Sequence, residues 1–135
     1  MNTARNIIAI DRIQVNGLDG FRRINASSVQ VSSSTIWKSI PIRVPARLTI
    51  SEKIEEGVRM HTAQLVFHTC EELEDRERQV YRCKTAEGKF YLIGTDSRPY
   101  PVTTISKPHP DNMTDSQLDE VTVSYASNSK IPYIQ

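Results

Sequence analysis

The chain has 135 residues, of which 38% are hydrophobic and 24% charged, and its formal net charge is +1. This length suits one domain around a single core, and no run approaches the roughly 20 apolar residues of a membrane helix. The near-neutral balance excludes a globally basic nucleic-acid binder, and two cysteines do not make a disulfide framework.

Charge is unevenly spread along the chain. Residues 1–50 carry seven Lys or Arg against two Asp, a balance of +5, whereas residues 51–99 and 100–135 each come to −2. Such polarity can steer a head-to-tail contact between copies; the plainer reading is that basic and acidic side chains cover different solvated faces. The opening MNTARNIIAIDRIQV places Asp11 and Arg12 where a signal peptide needs an apolar run, so synthesis in the cytosol is expected.

From the N-terminus, Ile7, Ile8, Ile10, Ile13 and Val15 form an extended apolar run that ends at Asn16-Gly17. Asn-Gly supplies the positive backbone angles of a tight turn, and Asp19-Gly20 lengthens it to a loop over 16–20. Val29 and Val31 alternate with Gln30 and Ser32, which predicts a half-buried strand. Ile40, Ile42 and Val44 alternate with Pro41 and Arg43, and Leu48 and Ile50 with Arg47 and Thr49. Pro41 and Pro45 cannot donate to a ladder, so these pieces are expected at sheet edges or bulges.

Ser51 is placed as a cap for SEKIEEG (51–57), which is too short to nucleate a helix alone; one turn or a loop is expected. Residues 58–69 predict a longer strand, with Arg59, His61, Ala63, Leu65 and Phe67 on one face. The other face is not cleanly polar, which suits cover on both sides or an interface. EELEDRERQ (71–79) is the one charge run and reads as a solvated helical turn or a hairpin loop.

Val80 to Ile93 is the strongest hairpin signal, with Gly88 where a type I turn plus bulge requires the left-handed conformation. Arg98-Pro99-Tyr100-Pro101 forms a stiff corner, because each proline fixes its own φ and restrains its predecessor. Val102 to Ser106 predicts a strand, 107–112 a loop, and 113–118 one turn with Thr114 as its cap. Val121, Val123 and Tyr125 alternate toward one side of a last strand over 120–126. Ile131, Tyr133 and Ile134 make the tail apolar enough to dock. The expected fold is therefore all-β: an antiparallel β-sandwich or small barrel with long loops and room for one short helix. It is read as a single domain over 1–135, with extended arms at 1–9 and 131–135.

Little in the chain reads as reaction chemistry. His68 and Cys70 lie two apart on one side of a strand, a zinc-type pair, yet Cys83, His61 and His109 complete no metal spacing. Cys83 with His68 could form a nucleophilic pair in space, but nothing local supplies an oxyanion hole. Glu71, Glu72, Glu74, Asp75 and Glu77 are crowded on one hydrophilic run rather than held in a pocket. None of the five glycines falls in a phosphate-loop spacing. Arg22, Arg23, Arg43 and Arg47, with Phe21 and Trp37 among them, have the ingredients of a single-strand nucleic-acid patch. With aromatics at 7% and Trp37 between Ile36 and Ile40, a core or interface role for Trp37 is favoured.

Tyr91-Leu92-Ile93-Gly94-Thr95, then Arg98-Pro99-Tyr100-Pro101-Val102, then the closing EVTVSYASNSKIPYI, resemble small structural proteins of the tail and neck modules of phages and prophages of Bacteroidales-type bacteria. The resemblance covers residues 79–134. It implies a non-enzymatic virion protein without cofactors or metals, assembled in the host cytoplasm. Its partners would be copies of itself and portal, connector or tail proteins, with no membrane and no sequence-specific nucleic acid. Arg98, Tyr100, Ile131, Tyr133 and Ile134 are the interface residues expected on this reading. The competing class is a small ligand- or carbohydrate-binding β-domain of the host, which would need a concave patch with exposed aromatics such as Tyr91, Tyr100 and Tyr133.

Overall fold

A computed structural model describes residues 2–18, 20–25, 27–32, 35–70, 78–95, 100–106 and 119–134. Eleven strands are seen among them: β1 (Asn2–Gln14), β2 (Arg22–Arg23), β3 (Ser28–Gln30), β4 (Lys38–Ile40), β5 (Ala46–Glu55), β6 (Val58–Thr69), β7 (Gln79–Thr85), β8 (Phe90–Ile93), β9 (Val102–Ser106), β10 (Asp119–Ser127) and β11 (Tyr133–Ile134). The all-β class holds, and the sole helical feature among the described residues is a 3₁₀ turn at Val15–Gly17, where the sequence suggested a wider loop. No helix of the described residues is long and apolar enough to cross a membrane.

The strands form one open sheet in the order β2-β3-β11-β8-β7-β1-β5-β6-β10-β9, with β4 also on β1. It is not closed into a barrel, and it is mixed rather than purely antiparallel, because β11 lies parallel to β3. β1 organises it. One edge of β1 pairs with β7 from Ile7 to Gln14, while the other carries β5 over Asn2–Ile7 and then β4 over Ile10–Arg12. The sheet turns back on itself about this strand, so the limb β5-β6-β10-β9 packs against the limb β7-β8 as the two layers of a sandwich.

The turning point is a register shift between Ile7 and Ala9. In a regular strand Ile7 and Ile10 would point to opposite faces. One extra residue switches the parity, so both are fully buried in the same core. Beyond the bulge Asp11 and Ile13 face the other way. The main core joins Leu48, Ala63, Leu65, Phe67, Val121, Val123 and Tyr125 of one limb to Ile10, Ile40, Tyr81, Cys83, Tyr91 and Ile93 of the other. The Tyr81 and Thr103 hydroxyls hydrogen-bond across the layers at 2.7 Å.

A second, smaller core lies on the back of β7 and β8. Val29, Val80 and Leu92 are covered there by Ile13, Val15, Leu18, Phe21, Trp37 and Ile134. Arg82 locks this cover: its Nε and one Nη donate to Asp11 Oδ2 at 2.9 and 2.6 Å. Its guanidinium lies 4.7 Å from the Trp37 ring centre and 5.0 Å from that of Phe90. Trp37 is thus a half-buried core residue, as its apolar neighbours suggested.

Several expectations are met locally. Residues 58–69 form β6, and His61, Ala63, Leu65 and Phe67 are buried on one face. Its other face is half-exposed rather than covered: Thr62, Val66 and His68 are half-buried and Gln64 is exposed. Pro41 and Pro45 fall between β4 and β5, outside the ladders, but the edge position expected for the piece with Leu48 and Ile50 is not found: β5 is interior, paired with β1 on one side and β6 on the other. In the β7–β8 hairpin Gly88 takes φ +90°, and Thr85 closes the turn, donating its N–H to Lys89 O and accepting at its carbonyl from Gly88 N–H. The Pro101 end of the proline corner packs on Gly94, whose φ is +110° and where a Cβ would meet Pro101 Cγ at 2.9 Å. Gly94→Ala is therefore expected to lower stability by about 1–3 kcal/mol, read as a lower urea midpoint with unchanged slope.

Two expectations are corrected. Residues 51–57, expected as one turn or a loop, are mostly strand, because β5 runs through them to Glu55. Glu56 and Gly57 have φ of 51° and 79°, the two successive positive angles of a type I′ turn, whose twist matches the flanking strands. Because glutamate sits poorly at positive φ, Glu56→Asn is expected to raise the melting temperature slightly, worth about 0.4–1 kcal/mol. The second correction concerns the termini expected as arms at 1–9 and 131–135. Residues 2–7 are paired with β5, and Ile131 is buried while Tyr133 and Ile134 sit in β11 between β8 and β3. Their apolar side chains find cover on the chain's own sheet. The helical turn expected at 113–118 lies outside the described residues.

Candidate functional site

The chemistry-bearing side chains are dispersed by the fold. His68 Nε2 lies 3.4 Å from Glu120 Oε2, its cross-strand neighbour on β10, at the solvent-facing side of β6. Cys70, just past β6, is exposed, whereas Cys83 is buried in the other limb between its strand partners Ile10 and Tyr91. Both cysteines are free thiols. Burial pushes the Cys83 thiol far above the ordinary range, and the Asp11 carboxylate adds to the shift. The thiolate is the reactive form, so one thiol, Cys70, is expected to react with a thiol reagent in the folded protein and the second only on unfolding.

Among the described residues no group of three or more His, Cys, Asp or Glu could hold a metal ion. His109 and the carboxylates from Glu71 to Glu77 lie outside the described residues. The basic cluster is separated as well. Arg22 and Arg23 lie on β2, with Arg22 donating to Gln30 Oε1 at 2.8 Å, while Arg47 lies on β5, with five strands between them in the sheet order.

Of the expected interface residues, Arg98 lies outside the described residues. Tyr100 is half-buried, with the Arg78 guanidinium 5.2 Å from its ring centre. Ile131 is in the main core and Ile134 against the second one. Tyr133 is half-buried, with Lys89 Nζ 4.2 Å over its ring. Tyr91 is buried in the main core, so it offers no open aromatic platform. The tail residues thus fasten the C-terminus to β8 and β3.

The feature most clearly presented to a partner is the outer part of the β5–β6 hairpin. Pairing with β1 ends at Ser51 and pairing with β10 ends at His61, so residues 52–60 continue as a two-stranded ribbon with no described strand on either edge. A lone ribbon is marginally stable in water. Glu52 and Arg59 brace it with a 2.8 Å ion pair. Near its tip Ile54 is 64% exposed and Val58 50% exposed. Val58 opens the strand expected over 58–69, whereas Ile54 falls in the segment where Ser51 suggests a cap; Glu56-Gly57 between them is the sequence signal of the hairpin. Among the described residues a further open edge belongs to β9, which ends the strand order and exposes Val102 and Thr104.

No family model, no curated protein and no solved structure matches this chain.

Proposed function

We propose that this chain is a non-enzymatic structural protein of a phage neck or tail, working by ring-like self-assembly and by docking to neighbouring virion proteins. The observation that carries the reading is the β5–β6 ribbon: strand edges with no partner among the described residues and apolar residues at the tip belong to an element built to be covered. The resemblance of residues 79–134 to tail and neck proteins points the same way. A ribbon edge on one copy and the β9 edge on the next are different surfaces. Their contact is therefore heterologous, and it closes into a ring when the rotation permits. Strand addition supplies the backbone hydrogen bonds, and Ile54 and Val58 supply the apolar contact.

The test is light scattering across a concentration series, followed by electron microscopy of the larger species. The chain is expected to be monomeric when dilute and to form closed assemblies when concentrated or mixed with portal or tail proteins. The double variant Ile54→Glu, Val58→Glu should leave thermal stability nearly unchanged, within about 0.5 kcal/mol for exposed positions, and should stay monomeric throughout. A wild-type chain that remains monomeric at every concentration and with every such partner would refute the proposal.

A further inference from the structure

We infer that the open end of the sandwich, at the root of the ribbon, is a binding site for a small oxyanion, a carboxylate or phosphate carried on a compact body. The inner face of the sheet is apolar until this end. Along β5 it reads Leu48, Ile50, Glu52, along β6 Leu65, Ala63, His61, and Arg5 of β1 is the partner of Leu48. At the last ranks the alternation that fills a sandwich core therefore delivers charged and polar groups instead. With Tyr91, Lys130 and Ile131 they line a cleft of about 290 Å³. At about 30 Å³ per water that is room for roughly ten waters, more than a monatomic ion fills and enough for a small organic acid.

Three features give the cleft its sign. His61 is only 7% exposed, yet neither it nor Arg5 nor Lys130 makes a hydrogen bond or ion pair with a described residue. The His61 ring nitrogens are open to the cleft rather than sealed in the core, so the imidazole can donate to or accept from a ligand bound there. Glu52, the acidic member of the lining, is engaged by Arg59 at 2.8 Å and competes little for the cations. The remaining donors are a guanidinium, whose planar fork matches a carboxylate or phosphate, and an ammonium that serves as a mobile point charge. Ile50 and Ile131 give an apolar wall for the body of the ligand. The ion would meet Arg5 and Lys130 at the rim and the His61 ring at the floor.

This site does not depend on the assembly reading, and it is tested on dilute monomer. The full chain is titrated by NMR with citrate and, separately, with inorganic phosphate, with chloride holding ionic strength constant. Saturable shifts are expected for the His61 ring and for the amides of Arg5, Ser51 and Lys130 with at least one probe. Response to citrate alone identifies a carboxylate ligand, and response to phosphate alone a phosphate ligand. The exposed double variant Arg5→Gln, Lys130→Gln should keep the fold and weaken binding by roughly ten- to hundredfold. Arg22→Gln, Arg23→Gln should leave it unchanged. Shifts that never saturate, or an affinity that the first pair leaves intact, would overturn the assignment.

Discussion

Phe67→Ala is expected to cost about 3–5 kcal/mol, a large share of the stability of a domain this size. The side chain is fully enclosed on the inner face of β6, in the core that joins the two limbs. Truncation removes its transfer free energy and leaves a cavity that strands on both sides are too constrained to close. The neighbouring Val66, on the outer face, is half-buried, so Val66→Thr should change stability by about 0.5 kcal/mol or less. Urea melts of the two variants check the pair. Similar losses at 66 and 67 would mean that the inner and outer faces of β6 are wrongly assigned.

Arg82→Ala is expected to be the most damaging change outside the main core, at about 3 kcal/mol. The Arg82 and Asp11 side chains are 27% and 16% exposed, so the pair is largely withdrawn from water. Removing the guanidinium leaves Asp11 with an uncompensated charge, which costs about 3–5 kcal/mol when burial is complete; the residual exposure argues for the lower end. It also frees one face of Trp37 and Phe90. Arg82→Lys keeps the charge but loses the fork and the stacking, so it should recover only part of the loss. The check is thermal unfolding followed by Trp37 fluorescence: both variants should melt earlier, and the Asp11→Ala, Arg82→Ala double variant should lose less than the sum of its singles.

What could be read from the residues was whatever depends on neighbours in sequence. The alternation in 58–69 and 120–126 placed β6 and β10, and for β10 its buried face, and the glycine at 88 placed the β7–β8 turn, because period and turn chemistry are local. The strand order was not legible, since the pairing of β1 with β4, β5 and β7 joins residues far apart in sequence. The bulge after Ile7 hid the face assignment of β1: Ile7, Ile8 and Ile10 look like an unpatterned run unless the parity switch is known. At 51–57 the capping serine points to a turn, whereas the less usual Glu56-Gly57 pair marks the hairpin that the structure shows. The oxyanion cleft could not be anticipated either. Arg5, His61 and Lys130 are solitary in the sequence, and the sandwich end alone gathers them.

The shared strand also governs how the molecule comes apart and how it forms. Because β1 is built into both limbs, neither limb keeps its ladder once β1 leaves, and the chain should unfold as one cooperative unit. Amide protons at the centres of β6 and of β7 should then exchange with the same opening free energy. In the forward direction β1 waits for partners as distant as residues 79–85 before its second edge is filled. Folding should be slow for the chain's size and should gain little from its strong local hairpins, since the rate is set by closing the long loop between the first strand and the seventh.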